Sequence, residues 1–407
     1  MHDLIQEMGH YIVRGEHPNN PETHTRVWQV EDVENICAMD ATMVLDKIEA
    51  IRMFSDMDDP LPRDNHHVVA NMKKLRWVDW RGHHASSLPT NFPPKSLRCL
   101  TLSNGQERQL WNGYKKLPNL RMIKLHGLKN LTMTPDFRGL PNLQRFMIYR
   151  CPLIEQIDQS IGNLEKLVFL LIAGCDNFKL LELPSDIAVL RADYCYALET
   201  VGDMSNCKWL WKVSFMGKNK LGTIGDQKII DSLSQGNAIE HHFMSLALEH
   251  QVRQMSAPSQ VSRSRFVLQL PHNWYNDFCG FLIHNVIDYQ EPCVTIVIKQ
   301  EISAGECNYQ NELFQDPPPP PTYIGYVSFS SLRHTWLNSE CNMISFYMGG
   351  KFEVKLVPRQ SKGDHQVETK NEALDCSEFW DEEREDRKTF TVQHESKSSI
   401  NILWRPC

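Results

Sequence analysis

The sequence lacks the residue spacings of several common functional sites. None of its twelve cysteines forms a C-x-x-C pair, so spacing does not predict a structural zinc site. It has no G-x-x-x-x-G-K-[ST] loop to cradle phosphates, no G-x-S-x-G elbow and no H-E-x-x-H helix. The histidine doublets at 66–67, 83–84 and 241–242 are interpreted as surface residues, because neighbours on a strand point to opposite faces. We therefore predict a non-enzyme without a metal or cofactor of its own.

Long apolar runs and a basic stripe are also missing. No apolar run approaches the roughly 20 residues of a membrane-spanning helix, so no membrane span is predicted. The net charge of −7 comes from interspersed charges of both signs, which does not favour nucleic-acid binding. The cysteines do not cluster and no signal peptide opens the chain, so we predict reduced thiols in a soluble intracellular protein. The 407 residues suffice for two or three domains.

What the sequence does contain is a repeat. The pattern L-x-x-L-x-L, with other apolar residues allowed, recurs seven times at spacings of 20 to 24 residues. Its copies begin at Leu75, Leu97, Leu120, Leu143, Leu167, Ile187 and Leu210, with a weaker copy at Ile48. One such unit cannot bury its own apolar side, so the units must stack and share a core. Residues 46–225 are therefore predicted to form about seven or eight leucine-rich repeats.

Two further positions recur within the repeat. Cys151, Cys175 and Cys195 each follow the last apolar strand residue by three places, where a small polar group can satisfy backbone groups. The string Leu-Pro-Asn-Leu opens two successive units, at 117–120 and 140–143. Both regularities favour the repeat over chance clustering of leucines.

The residues that alternate with the strand leucines are predicted to point outward and to bind a partner. Arginine, tryptophan and methionine are the residue types that carry most of the energy of protein interfaces. The predicted contact residues are Arg76, Trp77, Arg98, Arg121, Lys124, Arg145, Met147, Phe169, Arg191 and Trp211. The alternative for each single residue is an ordinary solvated side chain.

The pattern of residues changes after the repeats. Residues 226–264 are predicted to hold a helix, from Ile239 to Met255, and a linker rich in serine and proline. Residues 265–407 contain short strand-like segments separated by turns, which is typical of an all-β sandwich or roll.

Three segments resemble one known family. Residues 1–9, Met-His-Asp-Leu-Ile-Gln-Glu-Met-Gly, resemble the motif that ends the nucleotide-binding module of plant intracellular immune receptors. Arg26-Val27-Trp28 resembles the connection from that module to the repeats. Residues 270–281 resemble the post-repeat jelly-roll or immunoglobulin-like domain of the Toll/interleukin-receptor subclass. The order of the three segments is that of the family, and together with the repeats they cover nearly the whole chain.

The resemblance implies the fold and the domains. We expect an α/β leucine-rich-repeat solenoid with a short N-terminal helical remnant, followed by an all-β jelly-roll or immunoglobulin-like sandwich. Residues 1–45 would be the remnant of a winged-helix part of the nucleotide-binding module and would cap the repeats. The domains are then 1–45, 46–225, 226–264 and 265–407. Without the phosphate loop, we expect a truncated receptor or an incomplete gene product.

The resemblance also implies a function. Family members hold ADP or ATP, and His2 with Met1 and Asp3 matches the motif that senses ADP; here we expect that site to be non-functional. The chain is expected to recognise a pathogen-derived protein through the concave repeat face and the C-terminal β-domain, in the cytoplasm or the nucleus. The alternatives are a regulatory module that inhibits a receptor's nucleotide-binding domain, or a product without function.

Overall fold

The structure is a computed structural model, and it describes part of the chain. The described residues are 3–15, 17, 19–40, 43–54, 71–82, 87–88, 92, 94–185, 187–204, 207, 210, 212–222, 225, 228–229, 244–248, 265–269, 278–286, 294–301, 322–328, 343–347, 351–358, 391–396 and 399–404. The chain divides into two compact units, Met1–Ser232 and Leu233–Cys407.

The first unit begins with short helices. Helices α1 and α2 span Asp3–Gly15 and Val30–Cys37, and a 3-10 helix lies between them at Pro21–Thr23. Proline at the start of the 3-10 helix suits its fixed φ angle, since it lacks the N–H that a first turn leaves unpaired. The short N-terminal helices predicted from the sequence are therefore present, and α2 buries Val33 and Ile36.

A parallel sheet then runs through the unit. Its strands are β1 (Arg26–Val27), β2 (Ala50–Phe54), β3 (Trp77–Arg81), β4 (Cys99–Ser103), β5 (Met122–His126), β6 (Arg145–Tyr149), β7 (Phe169–Ala173), β9 (Val189–Asp193) and β11 (Lys212–Phe215). Neighbours in this order are paired in parallel. Strands β8 (Leu180–Leu181) and β10 (Thr200–Val201) form a separate parallel pair. The parallel solenoid of about seven turns confirms the prediction from the leucine spacing, and the weak copy at Ile48 is the turn that carries β2.

The two apolar positions of each strand face the core, and the strand register aligns them from one turn to the next. Leu100, Ile123 and Phe146 are paired in register and fully buried. The rings of Phe137 and Phe146 meet edge to face, with 5.0 Å between their centroids. Phe137 lies in a 3-10 helix at Phe137–Gly139, and the next turn has another at Gln159–Asn163. Each turn therefore buries its leucines only against its neighbours, as a solenoid requires.

A left-handed residue follows most strands and starts the bend. These residues, with φ between 50° and 86°, are Gly82, Asn104, Gly127, Arg150, Gly174, Tyr194 and Gly217. Each of the first six donates its backbone N–H to a carbonyl of the next turn, at 2.6 to 2.9 Å. The bend therefore has two functions, because it reverses the chain and bonds adjacent turns.

The repeated Leu-Pro-Asn-Leu string has a structural reason. The side-chain amide of Asn119 donates to the carbonyl of Lys95 at 2.9 Å, and that of Asn142 donates to the carbonyl of Pro118 at 2.7 Å. Both bonds reach one turn back along the chain. The asparagine thus pairs a backbone carbonyl that the strand ladder does not reach.

The recurring cysteines form a buried ladder of thiols. Cys151, Cys175 and Cys195 are fully buried and carry free thiols. Their sulfur atoms lie 3.4 to 3.7 Å from backbone carbonyl oxygens, at the inner bend where the spacing predicted them. Burial raises the pKa of Cys151 to about 11 and that of Cys195 to about 12. At neutral pH both thiols are protonated and act as small packing groups that can donate weak hydrogen bonds.

The second unit is built from antiparallel strands. They are β12 (Met244–Leu248), β13 (Arg265–Gln269), β14 (Phe278–Val286), β15 (Val294–Glu301), β16 (Thr322–Ser328), β17 (Met343–Tyr347), β18 (Lys351–Pro358), β19 (Thr391–Ser396) and β20 (Ser399–Trp404). Within the unit, one ladder has the order β12-β16-β14-β18 and the other β13-β17-β15-β20-β19. The predicted β-rich C-terminal part is present.

The helix predicted from Ile239 to Met255 is wrong in the part that the structure describes. Residues 244–248 form β12, which pairs with β16 and keeps Leu248 fully buried. Met244, Leu246 and Leu248 alternate with small residues, which is the period of a strand. Pairing with a distant strand outweighed the local helical pattern, as tertiary context commonly does. This strand also places the start of the β-rich unit before residue 265.

Candidate protein-binding face

The outward residues of the parallel strands form three rows, because the ladder is in register from β2 to β9. The middle row runs Arg52, Asp79, Thr101, Lys124, Met147, Leu171 and Arg191. The first row includes Trp77, Met122, Arg145 and Phe169, and the third includes Arg81, His126, Tyr149 and Asp193. We call these three rows the outward strand face.

An apolar cluster lies on this face at β5, β6 and β7. Met122, Met147 and Leu171 are 8%, 7% and 1% exposed, although they point away from the solenoid core. The half-buried Cys99, Tyr149, Phe169 and Ala173 pack against them. Methionine adapts its shape more readily than branched side chains, so such a cluster can fit a partner's surface.

Basic side chains surround the cluster. Arg121 is exposed and precedes β5, while Lys124 and Arg145 are half-buried on the strands. The ammonium group of Lys124 lies 5.7 Å from the ring centroid of Tyr149, within cation–π range. Burial lowers the pKa of His126, and the nearby positive charges of Arg150, Lys124 and Arg81 lower it further. Basic groups thus lie around the apolar centre of the face.

The structure places the predicted contact residues in different environments. Arg98 and Arg121 are exposed, and Trp77, Lys124, Arg145 and Phe169 are half-buried. Met147 is part of the buried cluster, and exposed Arg76 forms an ion pair with Glu49 at 3.3 Å. Trp211 and His2 lie outside the described residues. Lys124, Arg145, Met147 and Phe169 therefore come together around one cluster on β5 to β7, whereas Arg76 and Trp77 lie at β3.

Arg191 is a buried structural residue. Its guanidinium is bound to the carboxylate of Asp193, and its side chain is only 11% exposed. Asp193 also accepts hydrogen bonds from the Ser214 hydroxyl at 2.6 Å and from the Met216 backbone N–H at 3.0 Å. This network joins β9 to β11, so it leaves little of Arg191 for a partner.

A related ion pair lies at the other end of the face. Arg52 donates from Nε to Asp79 at 3.0 Å, and Arg81 lies 3.7 Å from the same carboxylate oxygen. The Arg52 guanidinium carbon is 5.7 Å from the centroid of the Trp77 ring. Asp79 is 4% exposed, so these arginines compensate a buried negative charge.

Sequence reasoning missed His126 and Tyr149 of the third outward row. His126 and Tyr149 follow the last apolar strand residue directly, where alternation of a strand still directs the side chain outward. The alternation of the strand, continued one residue beyond the last apolar position, would have identified these two side chains. Strand β1 was also missed, since two residues are too short for a periodic pattern.

Neither a metal site nor a membrane-spanning helix is found among the described residues. In that part of the chain, no three His, Cys, Asp or Glu side chains are grouped so that they could hold a metal ion. None of the described helices is long and apolar enough to cross a membrane. The three histidine doublets fall outside the described residues.

The stacked parallel strands and their leucine pattern define a leucine-rich-repeat solenoid. No family model matches the chain. It is similar to the TMV resistance protein N of Nicotiana glutinosa, with 32% identity over 44% of this chain and 17% of the relative. It is also similar to disease resistance protein RPV1 of Vitis rotundifolia (29% identity, 41% and 15% coverage) and to RPP4 of Arabidopsis thaliana (31% identity, 30% and 10% coverage).

These homologues are plant disease-resistance proteins of the Toll/interleukin-receptor, nucleotide-binding, leucine-rich-repeat class, as the sequence predicted. The chain spans less than a fifth of the length of these relatives. The two longer matches cover about two-fifths of the chain.

Proposed function

We propose that the chain is the ligand-recognition part of a plant disease-resistance receptor, and that the outward strand face binds a pathogen-derived protein. The observation that carries the proposal is the cluster of Met122, Met147 and Leu171 with basic side chains around it. An apolar centre with a polar rim is the usual anatomy of a protein interface. The outward strand face corresponds to the concave side on which solenoids bind their partners.

The charges on the face indicate the chemistry of the partner. Arg121, Lys124 and Arg145 lie on the adjacent turns that carry β5 and β6. A partner with acidic groups around an apolar centre would complement this arrangement. Such charges mainly raise the association rate and select the partner, whereas burial of the half-exposed apolar side chains that pack on the cluster, Tyr149 and Phe169, supplies affinity.

Binding to purified secreted proteins of plant pathogens tests this proposal. The chain is immobilised, and each protein of the panel is passed over it by biolayer interferometry. We expect at least one protein to bind, and the triple variant Arg121→Ala, Lys124→Ala, Arg145→Ala to lose affinity by more than tenfold. Loss of two or three charge-assisted contacts at about 1–2 kcal/mol each gives that magnitude.

A matched control removes the same charge elsewhere. Lys129, Lys166 and Lys179 are exposed lysines outside the outward strand face, and their replacement by alanine also removes three positive charges. This variant should bind like the unchanged chain. Equal losses in both variants would show non-specific electrostatics, and binding unaffected by the first variant would place the contact elsewhere; either result overturns the proposal.

A regulatory function is the second candidate, and helix α1 favours it. Met8, Tyr11 and Ile12 share one side of this helix and are 64%, 79% and 69% exposed. Such an apolar stripe is expected to contact another protein surface. In this alternative the chain binds and inhibits a receptor's nucleotide-binding module. Co-expression with that module, followed by a cell-death assay in leaves, distinguishes it, since inhibition would then occur without a pathogen protein.

The remaining expectations also belong to this proposal. Residues 1–45 would derive from the winged-helix part of a nucleotide-binding module, and His2 would no longer bind ADP. The two ladders of the C-terminal unit would form a jelly-roll or immunoglobulin-like sandwich. The chain would act without a cofactor or catalysis, in the cytoplasm or the nucleus.

A further inference from the structure

A cavity of about 530 Å³ lies between helix α1 and strands β1 to β3. Gly9 and Val13 of α1 form one wall, and residues at the start of the three strands form the other. Cavities of this size hold small molecules or a few residues of a peptide. Only β4 lies between the cavity and the apolar cluster at β5 to β7, but no lining residue of the cavity belongs to the cluster, so it is a second candidate site.

Three arginines line the cavity, one from each turn. Arg26 lies on β1, Arg52 on β2, and Arg76 directly before β3. Their spacing follows from the ladder, which pairs Arg26 with Ala50 and Ala50 with Trp77. Glu49 is the only acid among the described lining residues, so this lining carries an excess of two positive charges.

The three guanidiniums differ in how far they are neutralised. Arg76 pairs with Glu49, and Arg52 donates from Nε to Asp79. Arg26 is exposed, and its guanidinium forms no hydrogen bond or ion pair with any described residue. A guanidinium has five N–H donors, so each of the paired arginines keeps donors for a ligand.

Aromatic and aliphatic groups complete the lining. Trp28 and Trp77 are half-buried, and Arg52 lies over the Trp77 ring. Val13 and Val27 add aliphatic surface. A small inorganic anion would use the arginines but leave these apolar walls in contact with water. A ligand with an acidic group next to an aromatic or aliphatic group would cover both.

We propose that this cavity binds an acidic peptide segment of a partner protein, in which aspartate or glutamate adjoins an aromatic residue. The carboxylates pair with Arg26, Arg52 and Arg76, since the guanidinium fork matches a carboxylate in two parallel hydrogen bonds. The aromatic side chain packs against Trp28 or Trp77. This site shares Arg52 and Trp77 with the outward strand face but includes no residue of the apolar cluster, so it does not rest on the proposed binding at that cluster.

Fluorescence anisotropy with the full chain and a labelled synthetic peptide tests the proposal. The peptide alternates glutamate and tryptophan, and the comparison peptide has glutamine in place of glutamate. We expect the acidic peptide to bind and the glutamine peptide to bind at least about tenfold more weakly, because it loses the charge-assisted hydrogen bonds. The affinity of the acidic peptide should also fall as salt is added.

Single arginine variants locate the site. Arg26→Gln and Arg76→Gln should each weaken peptide binding by about tenfold, whereas Arg98→Gln should leave it unchanged. Arg98 is the matched control, because it occupies the position of Arg76 one turn further and does not line the cavity. Thermal unfolding should be unchanged in Arg26→Gln, since the guanidinium of this residue has no described partner.

Two outcomes would overturn the proposal. If Arg26→Gln and Arg76→Gln bind the peptide as well as the unchanged chain, the cavity is not the binding site. If inorganic phosphate displaces the peptide as effectively as unlabelled acidic peptide does, the site recognises a simple oxyanion. The triple variant of Arg121, Lys124 and Arg145 should retain peptide binding, which separates this test from that of the outward strand face.

Discussion

Asp193 binds Arg191 through one carboxylate oxygen, which accepts from Nε and lies equally close to a terminal nitrogen, each at 2.8 Å. The other oxygen accepts from Ser214 and from the backbone of Met216. One buried carboxylate thus binds the last described strands of the solenoid together. Its charge is tolerable at 2% exposure only because all these partners are present.

Removal of this carboxylate should strongly destabilise the repeats. Asp193→Ala removes the carboxylate that forms the buried ion pair with Arg191, and we expect a loss of about 3–5 kcal/mol in the free energy of unfolding. Urea unfolding followed by circular dichroism measures the change. Glu155→Ala is the control, because Glu155 pairs with Lys179 on the surface and should contribute at most about 1 kcal/mol. Equal effects in the two variants would contradict the structural importance of the buried pair.

The left-handed bends predict a second set of stability changes. Gly217 has a φ of 86°, and a Cβ atom there would lie 2.9 Å from the backbone Cα of Tyr194. Gly217→Ala should therefore cost about 2–3 kcal/mol, from backbone strain together with the steric clash. At Gly113, φ is 65° but a Cβ atom would have no neighbour within 4 Å, so Gly113→Ala should cost only about 1 kcal/mol. A thermal shift assay in which Gly113→Ala destabilised the chain more than Gly217→Ala would contradict the contact with Tyr194.

The buried thiols should resist modification in the folded chain. Burial raises the pKa of Cys151 to about 11, so its reactive thiolate is rare at pH 8. We expect Cys151, Cys175 and Cys195 to remain unlabelled by iodoacetamide without urea and to react once urea is added. Half-buried Cys99 should react faster in the folded chain. Peptide mapping by mass spectrometry identifies each site, and rapid labelling of all three buried thiols would disprove their packing.

These thiols also predict a dependence of stability on alkaline pH. Their pKa is raised in the folded chain, so the folded state retains protons that the unfolded chain releases above its ordinary thiol pKa of 9.0. Their contribution to stability is therefore complete below about pH 9 and decreases as the pH rises toward 11 and 12. Urea unfolding across this pH range should show a smaller decrease in the free energy of unfolding for a Cys151→Ala variant than for the unchanged chain.

The lowered pKa of His126 predicts that the stability of the chain also depends on pH in the acidic range. Burial and neighbouring positive charges lower its pKa below the ordinary value of 6.5, so the folded state binds the proton less readily than the unfolded chain. Stability should therefore decrease as the pH falls below 6.5. The titration of His126 is measured by NMR with His126→Gln used for assignment. An acidic partner on the outward strand face should raise the pKa of His126, and a pKa unaffected by binding would place the partner elsewhere.

The sequence predicted which strand side chains point outward, but it could not predict which of them are accessible to a partner. Alternation along a strand is a local property, so the sequence correctly predicted that Lys124 and Phe169 point outward. Whether an outward residue is available to a partner depends on its neighbours in other turns. Arg191 was predicted to bind a partner, yet Asp193 and the next strand enclose it. The arginine cavity was missed for the same reason, since its residues are spread from position 9 to position 77.

The sequence by itself determined the solenoid, because leucines at intervals of 20 to 24 residues are buried when successive turns of the chain stack on one another. It also determined where the cysteines and the repeat-opening asparagines lie. Only the tertiary structure decided that residues 244–248 form a strand, that Arg191 is enclosed and that three arginines surround one cavity. Each of these depends on side chains or strands far apart in the chain, and a local pattern contains no information about such distant partners.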